Sequence, residues 1–240
     1  MKEPGAEMSF FSHLEELRWR LVKIAVAILV CCLPCWIFWR QIFDIVMVYP
    51  LKFADPKPHL IFTSPVEGVL LSFKIAFGAG LVIASPVVFY QIWKFIAPGL
   101  YPKEKKLVMP TVIASTVAFL SGILFCYFLL PFLFKVLTSY AGSRIDPFFK
   151  IDEYFSFLLK LSIAFGLVFE LPVVSFVLAR IGVLKAGFLL RHARIAIVVI
   201  FIIAAILTPP DIFSQMALAV PLLALYGISI LVAKIAGRKQ

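Results

Sequence analysis

Leu161–Ala179 is a run of nineteen residues with a single ionisable group, Glu170, near its middle. About 20 apolar residues, each rising about 1.5 Å, cover the roughly 30 Å hydrocarbon core of a bilayer, so a helix here is long enough to cross one. A charged acid at mid-membrane costs at least about 2.5–3.5 kcal/mol on insertion scales, so such residues face a bundle interior or a wet cavity. Pro172 follows two positions later and removes a backbone donor, which should bend or loosen the helix beside the acid.

Five other long uncharged runs stand at Ile24–Trp39, Ile75–Trp93, Leu107–Phe134, Ile195–Pro210 and Ile212–Ala233. Only 15% of the 240 residues are charged, against about 25% in soluble domains, and 62% are hydrophobic. The expected fold is therefore all-α: a polytopic membrane protein built as a six-transmembrane-helix bundle, one integral membrane domain over residues 1–240. Ile195–Leu207 offers thirteen apolar residues, about 20 Å of helix, so the fifth and sixth spans are expected to be short and to thin the bilayer or shelter among neighbours. Twenty-five Phe and sixteen Pro suit tightly packed, kinked membrane helices.

Orientation follows from the basic residues. With the N-terminus inside, fifteen of the 23 Lys and Arg fall on inside segments and eight on outside ones, which favours cytoplasmic N- and C-termini. The net charge of +10 reads as this topology signal plus attraction to anionic membrane lipid, not as a nucleic-acid footprint, because it is spread over separate segments beside membrane ends. The first apolar run ends in Trp36, Phe38, Trp39 and Arg40 rather than a small-x-small cleavage site, so it is expected to be retained as a helix.

Phe10, Phe11, Leu14, Leu17 and Leu21 recur at helical spacing, which suggests an interfacial segment that turns into the first span. The first external connection, Arg40–Gly68, holds Pro50, Pro56, Pro58 and Pro65 among apolar residues and is expected to fold as a cap. Lys94–Lys106 is expected as a compact cytoplasmic turn, and Pro131–Glu153 as the second external connection. Cys32 and Cys35 match a redox or metal spacing but have no His or acid beside them, so they read, with Cys31 and Cys126, as small packing residues.

No enzyme constellation is present. His13, His59 and His192 fall on different segments, and no Ser/His/Asp group, phosphate loop or metal-ligand set survives inspection, so no metal, cofactor or catalytic residue is expected. A lone intramembrane acid also suits a proton-coupled small-solute carrier using Glu170, although carriers commonly show internal repeats and this chain has none.

Four strings in order bring a resemblance. His13-Leu14-Glu15-Glu16-Leu17-Arg18-Trp19-Arg20-Leu21 precedes the first span. Ser85-Pro86 and the stretch from Gln91 through Phe95, Pro98 and Tyr101 to Lys106 approach and fill the first cytoplasmic turn. Phe165-Gly166-Leu167-Val168-Phe169-Glu170-Leu171-Pro172 surrounds the acid, and Leu207-Thr208-Pro209-Pro210-Asp211-Ile212-Phe213-Ser214-Gln215 forms the last external turn. Together they resemble TatC, the multispanning receptor subunit of the twin-arginine protein translocase of prokaryotic cytoplasmic (inner) membranes.

The resemblance implies a receptor for export signal peptides carrying adjacent arginines. It also implies transport of their folded cargo together with the single-span partner subunits TatA and TatB, and self-association in the receptor complex. Carried over by motif, Glu16 and Glu104 would receive the two guanidinium groups, with Phe95, Pro98 and Tyr101 shaping the same site. Arginine's planar fork suits a carboxylate in a way that lysine cannot reproduce, provided the acids are partly recessed. Glu170 would be a polar anchor in a concave bundle, and Thr208 and Gln215 would meet partner spans or cap their own helices. Pro50, Pro86 and Pro172 are structural candidates, and Asp211, after two prolines and before a span, reads as an N-cap. Gly78, Ala79, Gly80 and Ala84 allow either a groove for the apolar part of a signal peptide or plain helix packing. One departure stands out: Gly227 follows Tyr226 where many relatives have an acid.

Overall fold

A computed structural model describes residues 10–53, 58–96, 107–140, 147–208 and 211–237, with side chains from Leu14 onward in the first stretch. The first helix, α1 (Phe10–Ile37), is continuous. The expected interfacial segment does not turn before the span, because no Gly or Pro interrupts the chain until Pro34. After Phe38 the chain continues through α2 (Trp39–Phe43), a π-helical turn (Asp44–Val48) and α3 (Tyr49–Leu51). Strand β1 (His59–Ile61) then leads into α4 (Glu67–Ile96). The remaining elements are α5 (Val108–Ser139), β2 (Phe148–Lys150), α6 (Ile151–Phe169), α7 (Leu171–Arg180), α8 (Ala186–Arg191), α9 (Ala193–Leu207) and α10 (Ile212–Gly237).

Among the described residues, five helical stretches are long and apolar enough to cross a bilayer: Leu14–Ile37, α4, α5, α6 with α7, and α10. The sixth apolar helix, α9, has 15 residues and reaches only about 22 Å. Of the two spans expected to be short, only this fifth one is: α10 runs for 26 residues and carries Lys234 in its last turn, where a cation complements the helix dipole. The external connection expected from Pro131 begins later, since α5 continues through Pro131 and Lys135 to Ser139.

The helices pack as a series in which α1 lies along α4, α4 along α5, α5 along α6, and α10 along both α7 and α9. Glycines set the closest approaches. A Cβ on Gly80 would lie 2.5 Å from the Cys32 Sγ, and one on Gly122 would lie 2.6 Å from the Phe165 carbonyl oxygen. Both crossings therefore exist because these positions lack a side chain. Large apolar side chains such as Leu29, Leu33, Ile83, Phe128, Ile206 and Leu231 remain exposed, as residues facing lipid would be.

The cap above the bundle is held by two tyrosines. Both reach main-chain carbonyls of the π-helical turn over Asp44–Val48. Tyr127 on α5 donates to the Ile45 carbonyl at 2.7 Å, and Tyr154 on α6 donates to the Met47 carbonyl at 2.9 Å. Met47, Pro50 and Leu51 are buried beneath it, so Pro50 is a packing residue at the start of α3. A parallel pair, β1 with β2, joins the α3–α4 and α5–α6 connections at His59–Phe148, Leu60–Phe149 and Ile61–Lys150, a small sheet added to the expected all-helical bundle. Beside it, Glu67 accepts main-chain hydrogen bonds from Thr63 at 2.6 Å, Ser64 at 3.2 Å and Asp152 at 3.1 Å. Lys74 forms an ion pair with Asp152 on the same side.

Candidate functional site

The N-terminal turns of α1 meet the C-terminal turns of α4 through one guanidinium group. Glu16 and Arg20 lie four residues apart on one face of α1, the spacing at which side chains meet along a helix. Arg20 Nε donates to Glu16 Oε1 at 3.0 Å and Nη2 pairs with the same oxygen. Nη1 points to Gln91 Oε1 on α4, 3.4 Å away. The side chains of Arg20 and Glu16 are 12% and 24% exposed, so the pair is partly recessed, and desolvation sharpens discrimination by a carboxylate. Phe95, half-buried, stands one turn beyond Gln91 on α4. Pro98, Tyr101 and Glu104 lie outside the described residues.

A second polar site crosses the middle of the bundle. The chain between α6 and α7 breaks at Glu170, whose N–H donates to the Leu167 carbonyl at 3.2 Å before Val174 N–H resumes helical bonding to the Glu170 carbonyl. Pro172 sits in the first turn of α7, where its missing N–H leaves no intrahelical bond unmade. The expected loosening beside the acid is thus a one-residue interruption between α6 and α7, with Glu170 itself still in right-handed helical conformation. Glu170 is 7% exposed, interacts with the Ser115 hydroxyl, and has one oxygen, Oε1, without a hydrogen-bond partner among the described residues. Ser115, on α5, also receives the indole N–H of Trp93 from α4 at 2.8 Å. Three spans therefore converge on one buried hydroxyl, and the acid keeps capacity for a further hydrogen bond.

The described residues flanking the α9–α10 turn are bound largely to these two helices. Thr208 is buried and its hydroxyl donates to the Ala204 carbonyl at 2.8 Å. Gln215 Nε2 donates to the Phe201 carbonyl at 3.1 Å, tying α10 to α9. Asp211 Oδ2 accepts the N–H of Ser214 at 2.7 Å, an N-cap geometry for α10. Pro86 lies inside α4 and lines an apolar groove of about 370 Å³ with Tyr90, Met109, Val112 and Ile113. Gly78 and Ala79 line a smaller cavity of about 110 Å³ with Phe155 and Leu159, whereas Gly80 is filled by Cys32.

The four cysteines are free thiols, and no group of three or more potential metal ligands occurs among the described residues. Composition and run lengths indicated the spans and Glu170. They gave no sign of Arg20 on Glu16, or of Trp93 and Ser115 around Glu170. An Arg four residues after a Glu is a readable helical pair, but its engagement with Gln91 depends on how α1 docks on α4.

Residues 12–221 match the family profile described as Sec-independent protein translocase protein (TatC). A Sec-independent protein translocase protein TatC from Helicobacter pylori (strain J99) is 44% identical over 223 residues, covering 92% of this chain and 87% of that protein. The TatC of Aquifex aeolicus (strain VF5) is 39% identical over 236 residues, covering 97% and 98%. A crystal structure of a twin-arginine translocase receptor TatC superposes with a TM-score of 0.84 at 40% identity, covering 94% of this chain and all of that one.

Proposed function

This chain belongs to the TatC family of Sec-independent protein translocase proteins, and from that premise we propose how its residues serve the work of a twin-arginine translocase receptor. It binds twin-arginine signal peptides at the end of the α1–α4 pair and forms the core of a translocase that exports folded proteins across the cytoplasmic membrane. The observation that carries this reading is Glu16, a half-buried carboxylate already holding a guanidinium group. The site thus has the recess and the acceptor geometry that an arginine fork requires. Glu104, Phe95, Pro98 and Tyr101 complete the site from the first cytoplasmic turn, with both chain termini cytoplasmic as the Lys and Arg distribution favours.

Cargo passes without covalent turnover, and the chain works with the single-span subunits TatA and TatB and with further copies of itself. Glu170, with an unpartnered oxygen in a buried setting, offers a hydrogen bond to a polar residue of a partner span. Thr208 and Gln215 mark the edge at which the short α9 thins the membrane and a partner span is received.

The test is binding of a labelled signal peptide carrying Arg-Arg, and of its Lys-Lys twin, to the purified protein in detergent. Strong Arg-Arg preference that is lost in Glu16→Gln and Glu104→Gln establishes the site. Equal binding of both peptides, unchanged by either substitution, rejects it.

A further inference from the structure

We propose that the pocket between the first turns of α4 and α6 binds the headgroup of a zwitterionic phospholipid whose ammonium is primary. It lies about 36 Å along α4 from Gln91, at the other end of the helix, so it is separate from the receptor site and does not depend on it. The pocket has a volume of about 270 Å³, and its walls include Glu67, Leu70, Lys74, Lys150, Asp152 and Glu153. The 30 residues of α4 measure about 45 Å, the thickness of a bilayer with both headgroup layers. Its first turns therefore lie among headgroups. Lys74, about 10 Å further along the helix than Glu67, reaches back toward that layer to pair with Asp152.

The wall carries both signs of charge. Lys74 pairs with Asp152, and Lys150 Nζ lies 3.2 Å from Glu153 Oε1. Each ammonium has three donors and each carboxylate two oxygens, so both pairs keep capacity for a ligand, and all four side chains are partly exposed. Glu67 is instead buried and fixes the floor through the main-chain N–H groups of Thr63 and Asp152. A phosphate would take donors from Lys74 and Lys150, and a ligand ammonium would donate to Asp152 and Glu153. Carboxylates outnumber ammoniums three to two, which disfavours a headgroup with negative charge alone. Among the described residues no aromatic ring lines the pocket, so it lacks the cage that recognises a quaternary ammonium. Its volume falls below the roughly 300–1,000 Å³ of sites that enclose a whole drug-sized ligand, which suits a headgroup with its tails outside. Leu70 opens the pocket to the lipid side, and Phe77, two turns on, continues the same exposed face of α4 for an acyl chain to follow.

The test follows the thermal midpoint of the full chain in detergent while phosphatidylethanolamine, phosphatidylcholine or phosphatidylglycerol with identical tails is titrated in. Phosphatidylethanolamine should reach half its effect at a concentration about threefold lower than either of the others, the scale of partly exposed charge pairs. Lys150→Gln and Glu153→Gln are surface changes that leave the buried Glu67 floor intact. Glu153→Gln should bring phosphatidylethanolamine down toward phosphatidylcholine, because only the primary ammonium uses that acceptor. Lys150→Gln should weaken both lipids alike, because both present the phosphate. Equal effects of the three lipids on the wild type, or a preference for phosphatidylglycerol, overturn the inference. So does a phosphatidylethanolamine preference that neither substitution changes, since it would then arise elsewhere on the bundle. Soluble phosphoethanolamine is the last arm: it should shift the midpoint less than the lipid, and an equal shift overturns the assignment to a membrane lipid.

Discussion

The carboxylate of Glu67 at the start of α4 accepts the main-chain N–H of Asp152 in the first turn of α6, at 3.1 Å, across 85 positions of sequence. Its other oxygen gathers the Thr63 and Ser64 amides and the Thr63 hydroxyl. One side chain therefore supplies a partner to an orphan donor at one helix start and fixes the connection entering another. Glu67→Ala should lower the thermal midpoint in detergent and speed proteolysis of the α3–α4 and α5–α6 connections. Glu67→Gln keeps one amide oxygen as acceptor and should fall between. Equal midpoints for all three proteins would show that the cap is held by β1, β2 and the tyrosines alone.

Tyr154 tests the other fastening. Its hydroxyl satisfies the Met47 carbonyl in the π-helical turn, and the ring is buried. Tyr154→Phe keeps the packing and removes that hydrogen bond, so it should cost about 0.5–1.5 kcal/mol, the net worth of a typical intramolecular hydrogen bond. Tyr127→Phe removes the matching bond to Ile45 at a more exposed position and should cost less. Chemical denaturation in mixed micelles reads both, and a larger loss for Tyr127→Phe would reverse the account.

At the α5–α6 crossing, Gly122→Ala would set a Cβ 2.6 Å from the Phe165 carbonyl oxygen and 2.9 Å from the Gly166 Cα. Both are backbone atoms and cannot swing aside, so the helices must separate, at a cost of about 1–3 kcal/mol. Gly227, inside α10, has nothing within 4 Å of the same position. Gly227→Ala should be neutral or stabilise by about 0.5–1 kcal/mol, since it only removes a flexible residue from a helix interior. A comparison of the two midpoints separates packing from helix propensity.

Much of this was legible beforehand, and the remainder has identifiable causes. Uncharged runs located the spans because lipid demands apolar length. Asp211 was readable as a cap from two prolines before an apolar run. The ends of α5 and α10 were not, because a charge marks the edge of the hydrocarbon and not the end of the helix: Lys135 and Lys234 sit inside helices that continue into the interface. The β1–β2 pair joins segments of three residues about ninety positions apart, too short for any alternation to show. Trp93, Ser115 and Glu170 meet only because three spans converge, a fact of packing that no local pattern carries.

Glu104 is tested by size as well as charge. If it receives a signal arginine, Glu104→Asp keeps the carboxylate at shorter reach and Glu104→Ala removes it. Signal-peptide affinity should fall more for Ala than for Asp, by about tenfold or more where a charge-assisted bond worth 1.5–3 kcal/mol is lost. Unchanged affinity in both would leave Glu104 neutralising Lys103, Lys105 and Lys106 alone.

The break at Glu170 predicts which property of the acid matters. Its backbone is already committed to the end of α6 and the start of α7, and Pro172 opens the second helix whatever side chain stands at 170. The side chain is thus available for function, and the Ser115 hydroxyl and an Oε1 with no partner among the described residues give it hydrogen-bonding work that needs no charge. Glu170→Gln, similar in size and still both donor and acceptor, should retain export of a folded reporter. Glu170→Ala should lose it while leaving signal-peptide binding at the α1–α4 end intact. Ser115→Ala should weaken export less than Glu170→Ala, because it removes one neighbour and leaves the acid in place. Loss of export in Glu170→Gln at normal protein levels would show that the ionised carboxylate is required, and would make the site a charge carrier in transport.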